Sequence, residues 1–99
     1  MLSVKLTYTK DIETDLEEIY AYYSDFGVDI VLSLDSDFNA FEKFIKEYPE
    51  GRNIRYKNIR RVNLHKFPYA FFYVYNEEDM EVILLRCLHQ HRHPAVWPK

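Results

Sequence analysis

Hydrophobic positions recur along this chain with two periods, and the change between them separates a helical first half from a stranded second half. Residues 3–9 alternate, with Val4, Leu6 and Tyr8 on one face, and predict a short strand. Thr9 is placed to cap a helix, and Asp11 and Glu13 fall in its first turn, where the helix dipole favours carboxylates. Ile12, Leu16, Ile19, Tyr20 and Tyr23 then form one helical stripe, which Gly27 can end in a left-handed conformation. A second stripe, Val31, Leu34, Phe38, Phe41, Ile45 and Tyr48, has spacings 3-4-3-4-3. That alternation is the seam of two helices packed as a hairpin. Pro49, Glu50 and Gly51 close the second helix.

From Ile54 onward the period is close to two. Ile54 to Leu64 predicts a strand with Arg61, Asn63 and His65 opposite Val62 and Leu64. Phe67 to Tyr75 predicts an aromatic-rich strand, Asn76–Asp79 a turn, and Glu81 to Leu88 the most apolar strand, central or buried on both faces. Short links between these strands favour an antiparallel meander. The expected order is β-α-α-β-β-β, an α+β fold with a helical hairpin on one face of a mainly antiparallel sheet. Its expected core includes Leu16, Ile19, Phe38, Phe41, Leu84 and either Val82 or Ile83. A chain of 99 residues suits one domain spanning 1–99, and 47% hydrophobic content supplies a core.

Charge changes the picture, because the net −3 hides a split. Residues 1–49 carry four Lys/Arg against eleven Asp/Glu, a balance of −7; residues 50–99 carry nine against five, a balance of +4. A basic working surface is therefore expected on the second half and a solvated acidic face on the first. Cys87 is alone, which excludes an internal disulfide, and its apolar setting predicts a buried, inert thiol. The first residues lack the apolar stretch of a signal peptide, and no membrane-length apolar run occurs, so the cytoplasm is the expected location.

Four motifs occur in order through the second half: Arg60-Arg61, Phe67-Pro68-Tyr69, Tyr73, and His89, Arg92, Pro94 and Trp97. The stretch RRVNLHKFPYAFFYVYNEEDMEVILLRCLHQHRHPAVW resembles the C-terminal half of RelE/ParE toxins, and Asp15–Gly27 looks like that family's first helix. The resemblance implies a toxin of a type II toxin–antitoxin system, of the kind associated with plasmid stabilization, held inactive by a cognate antitoxin in a hetero-oligomer. It implies no membrane and no cofactor. The target stays open, since RelE-like members cleave mRNA on the ribosome whereas ParE-like members poison DNA gyrase.

RNA cleavage requires cations on the scissile phosphate and groups that move two protons. Carried over from the resemblance, the two lysines of RelE-like nucleases fall on Arg61 and Asn63, and their third-strand arginine falls on Ala70. Their later arginine matches Arg92, and the region of their tyrosine offers Trp97. Asn63 is a poor base, Ala70 clamps nothing, and Trp97 has no phenolic proton. Arg61, His89 and Arg92 nevertheless remain a candidate catalytic constellation. Arg60, Arg61, His89, Arg92 and Trp97 are the candidate target-binding residues, with Arg60 and Arg61 on opposite faces of their strand.

Each residue also has a plainer reading. A histidine at a strand end commonly hydrogen-bonds backbone. His89, His91 and His93 share a face at spacing two, but no Asp, Glu or Cys lies within the run, so no metal is expected. Pro94 and Trp97 can anchor the tail to the sheet, and the row Phe67, Tyr69, Phe71, Tyr73, Tyr75 is better core than stacking platform. The aromatic strand is apolar on its other side too, at Ala70, Phe72 and Val74. A helical hairpin covers one sheet face, which leaves these three as the expected antitoxin groove. The reading is a ParE-like toxin that inhibits gyrase by binding. The alternatives are a ribosome-dependent mRNA endonuclease and a toxin-like fold that has lost its activity.

Overall fold

A computed structural model describes residues 4–50, 54–56 and 58–90. Its elements are β1 (Lys5–Tyr8), α1 (Lys10–Ser24), α2 (Val28–Glu47), β2 (Ile54–Tyr56), β3 (Ile59–Asn63), β4 (Tyr69–Asn76) and β5 (Glu81–His89). The strands form one sheet in the order β1-β5-β4-β3-β2, parallel between β1 and β5 and antiparallel elsewhere. This is the expected α+β arrangement, with the helices packed on one sheet face.

Local chemistry sets most boundaries. Thr9 has extended backbone, and its hydroxyl accepts from the Ile12 N–H at 3.2 Å, capping α1 as its sequence position predicts. Gly27 joins the helices with φ 111° and ψ 169°. That region belongs essentially to glycine, but it is not the left-handed helical conformation expected of a C-terminal cap. Tyr20 donates to Asp35 across the hairpin, and Tyr8 donates to Glu42 between β1 and α2.

Two expected boundaries move. The single strand over Ile54–Leu64 is a hairpin of β2 and β3, broken where Asn58 adopts φ 69°. Asparagine tolerates that conformation because its short polar side chain bonds locally. The aromatic strand begins at Tyr69 rather than Phe67. Pro68 has no N–H for a ladder, and the Tyr69 N–H turns back to the Phe67 carbonyl at 2.8 Å. Asp37, buried on α2, holds this bend by accepting from the Lys66 and Phe67 N–H groups at 2.9 and 3.0 Å.

The core lies between helices and sheet. Ile19, Phe38, Phe41, Leu84 and Val82 are buried as expected, whereas Leu16 is half-buried against them. Val82 takes the core position and Ile83 does not, because Val82 lies across from Leu6 and Tyr75 on the helix-facing side. Phe41 stacks on Phe71 with ring centroids 3.9 Å apart. The other sheet face departs from expectation. Ala70 and Phe72, 1% and 3% exposed, form a second small core with Ile59, Leu88 and half-buried Leu85; only Val74 of the expected groove is partly open.

The pairing of β1 with β5 ends at Leu84, so the outer edge of β5 beyond it needs other partners. Helix α1 and its cap supply them. Thr9 donates its N–H to the Leu84 carbonyl (3.2 Å) and its hydroxyl to the Leu85 carbonyl (3.1 Å). Asp15 accepts the Cys87 N–H at 3.0 Å. The same carboxylate takes Arg86 side-on, Nε at 2.7 Å and Nη2 at 2.9 Å. A bulge between Phe72 and Tyr73 in the β4–β5 register falls beside Arg86, and bulges re-aim neighbouring side chains.

Truncating Asp15 strands a ladder N–H and an arginine at once. Asp15→Ala should lower unfolding free energy by about 3 kcal/mol. Arg86→Ala should cost less, since Arg86 is one-third exposed. Denaturant titration of both singles and the double mutant measures the coupling. A loss below about 0.5 kcal/mol for Asp15→Ala, the level of an ordinary surface change, would contradict this role.

Candidate functional site

The face of the sheet away from the helices gathers the residues on which RelE-like catalytic positions fall. Register pairs Arg61 with Phe72 and Asn63 with Ala70, which places all four on that face. Arg61 lies over the Phe72 ring at 5.8 Å and donates from Nε to the Asn63 Oδ1 at 3.1 Å. Arg60 points to the opposite face, across from Tyr73, and its Nη1 reaches the Glu50 carbonyl at 3.4 Å. The two arginines are thus separated as strand geometry requires.

His89 does not join Arg61. It pairs with Tyr69 at the end of β5, and its ring meets the Tyr69 ring edge-on at 5.4 Å, on the helix-facing side. Arg61 and His89 therefore sit on opposite faces, two strands apart, and form no common constellation. Arg92 and Trp97, with His91, His93 and Pro94, lie outside the described residues. Among the described residues, phosphoryl transfer on the far face would have to work from Arg61 beside an amide and a buried methyl group. The only other cation on the described part of β5, Arg86, is held by Asp15.

Among the described residues, three clefts along the helices stand out. The largest, about 550 Å³, runs between α1 and the outer edge of β5; Asp15, Glu18, Tyr22, Tyr69, Arg86 and His89 are among its walls. A second, of about 370 Å³, lies between α2 and β3 over Ala40, Phe44, Asn63 and His65. A third, of about 200 Å³, runs along the hairpin seam beside Tyr20, Phe38 and Phe71. Sequence reasoning missed the α1–β5 cleft. Its one legible signal is the run Asp11, Asp15, Glu18, Tyr22, spaced four, three and four apart, which is a single polar stripe of α1.

Electrostatics in this cleft centres on the Asp15–Arg86 pair. Hydrogen bonding to Asp15 raises the Arg86 pKa further, so its charge is fixed at every working pH. Burial, with the Asp15 charge adding to it, pushes the Cys87 thiol far above its ordinary value. Burial also raises the Tyr69 hydroxyl, helped by its hydrogen bond with Tyr23. Neither group ionises near neutrality, so neither serves as a nucleophile or base. Among the described residues no group of three or more His, Cys, Asp or Glu is placed to hold a metal ion.

Fold and site define a small α+β domain that presents surfaces without an assembled catalytic centre among the described residues. The sequence model of the ParE toxin of the type II toxin–antitoxin system parDE matches residues 6–94, and the chain belongs to this family. Solved structures that share its fold include two toxin–antitoxin systems. One is the chromosomal ParDE toxin–antitoxin system from P. aeruginosa, 20% identical, covering 87% of this chain and 95% of that one, with a TM-score of 0.72. The other is the toxin–antitoxin complex RelBE2 from Mycobacterium tuberculosis, 17% identical, covering 89% and 99%, with a TM-score of 0.58. No curated protein matches the sequence significantly.

The raised thiol pKa has a measurable sign. Cys87 should not react with Ellman's reagent in the native protein at pH 8, and should release one equivalent when denaturant is added. Its contribution to stability is whole below the unfolded thiol's pKa of about 9 and falls as pH rises beyond it. Rapid native-state reaction would contradict the burial described.

Proposed function

We propose that this ParE-family toxin inhibits DNA gyrase by binding, works in the cytoplasm, and is neutralised by a cognate antitoxin. The observation that carries the proposal is the row Arg61, Asn63, Ala70. Where a RelE-like nuclease needs several cations, these positions hold one guanidinium already bonded to an amide, and a methyl group 1% exposed. Loss of one charge-stabilising or proton-moving group commonly costs about 10²–10⁴-fold in rate, and two such positions are changed here. A binding mechanism tolerates those changes, since it needs surface complementarity alone. Arg60, Arg61 and His89, with Arg92 and Trp97, remain the proposed target contacts, with Arg61 on the far face and Arg60 and His89 on the helix-facing side, so that one target surface draws on one of these groups.

The antitoxin reading draws on family membership and on the two structural neighbours, both of which are toxin–antitoxin systems. On this chain we place antitoxin contacts on the far sheet face. There Val74 pairs with Ile83, both half-buried, beside the Ala70–Phe72 cluster. Burial of Ala70 and Phe72 makes them the floor of such a surface rather than its contact points.

Induction without antitoxin should relax a reporter plasmid and raise DNA-damage signalling while protein synthesis continues at first. An immediate stop in translation, with transcripts cut on ribosomes and the cut lost in Arg61→Ala, would replace this reading with the nuclease. Val74→Asp should weaken antitoxin binding at least tenfold, about 1.4 kcal/mol, while leaving the fold intact. Unchanged affinity by calorimetry would remove the contact from this face.

A further inference from the structure

The α1–β5 cleft carries features that neither the fold nor target inhibition uses. At its lip Tyr22 stands in solvent, 58% exposed, and next to it Phe26, just past the end of α1, is 63% exposed. Their rings touch at 5.3 Å, and Tyr22 also meets Tyr23 edge-on at 4.9 Å, which continues the row inward to Tyr69. An i, i+4 aromatic pair packed together yet left in water is apolar surface held ready for contact.

Charge selects the occupant. Around the cleft Asp11, Asp15 and Glu18 set three carboxylates against the single guanidinium of Arg86, among the described residues. Asp15 is fully engaged by Arg86 and the Cys87 N–H. Glu18 is exposed and makes no hydrogen bond or ion pair with another described residue. It lies one turn before Tyr22 on the same stripe of α1, so a carboxylate and an aromatic ring frame one position at the mouth. A cation fits between them, gaining both a charge-assisted hydrogen bond and the ring's electron-rich face. Nucleic acid and acidic peptides are repelled. A second copy docking two-fold through this lip would oppose Glu18 to Glu18.

From this arrangement we infer that the α1–β5 cleft is a docking site for a short basic–apolar segment of a partner protein. A lysine or arginine of that segment sits between Glu18 and Tyr22, and a neighbouring apolar side chain packs on Phe26. The site is separate from the far-face surface proposed for the antitoxin, so each can fail without the other.

The test is an amide-shift titration of the isotope-labelled full chain with two five-residue peptides. One alternates leucine and phenylalanine with lysine and arginine; the other replaces both basic residues with glutamate. The basic peptide should give saturable shifts grouped on Glu18, Tyr22, Phe26 and His89, and the acidic one none. Glu18→Lys and Tyr22→Ala, both at exposed positions, should each weaken binding at least tenfold with unchanged melting temperature. Equal binding of the acidic peptide, shifts centred elsewhere, or full affinity in Glu18→Lys would overturn the inference. Concentration-dependent shifts of these same residues without peptide would assign the lip to self-association and overturn it too.

Discussion

The structure turns on how a parallel strand pair of unequal length is finished. β1 is four residues and β5 is nine, so the outer edge of β5 outlasts its partner. A buried strand edge with unpaired groups is not tolerable. Thr9 and Asp15 solve this from α1, one as the helix cap and the other in the second turn. Because both are bound to β5, the helix cannot slide along the sheet without breaking them. The direction of α1 fixes the turn at Gly27, hence the seam of α2, and hence the placement of Asp37 over the bend that starts β4. Two buried carboxylates that accept backbone N–H therefore tie α1 to β5 and α2 to the bend before β4.

The same tie fixes Arg86 against α1. A basic residue near the end of the last strand looks available in sequence, but a side-on carboxylate engages two of its five N–H donors and offsets its charge. Arg61 is committed differently, over an aromatic ring and to a neighbouring amide. What the basic second half offers is therefore a surface. That suits the action by binding proposed for this ParE-family toxin, and it leaves the acidic first half free to carry a contact of opposite preference.

Much of this was legible in the residues. Both helices, the cap at Thr9 and the core stripe as far as Ile45 come from spacing, because a repeat of 3.6 or 2 is a direct record of which side is buried. Tyr48, the last member of the second stripe, lies past the end of α2 and is 57% exposed. The division of Arg60 from Arg61 comes from the same rule. Three things were not legible. Asn58 breaks a strand whose alternation continues across it, since one left-handed residue leaves no trace in hydrophobic pattern. Burial of Ala70 and Phe72 is set by what packs over a sheet face, which strand alternation does not encode. The Asp15–Arg86 pair joins residues 71 apart, and its members look like ordinary surface charges until the register of β1 on β5 is known. The separation of His89 from Arg61 has the same origin, a matter of strand order and parity.

The central claim is that this toxin acts by binding gyrase and not by cutting RNA. It is tested most directly by adding the purified chain to two reconstituted reactions side by side. One is gyrase supercoiling of relaxed plasmid; the other is translating ribosomes programmed with a defined mRNA. Action by binding predicts loss of supercoiling, in proportion to toxin and reversed by antitoxin, with the mRNA intact. Undisturbed supercoiling together with a discrete cut in the ribosome-bound message would contradict it.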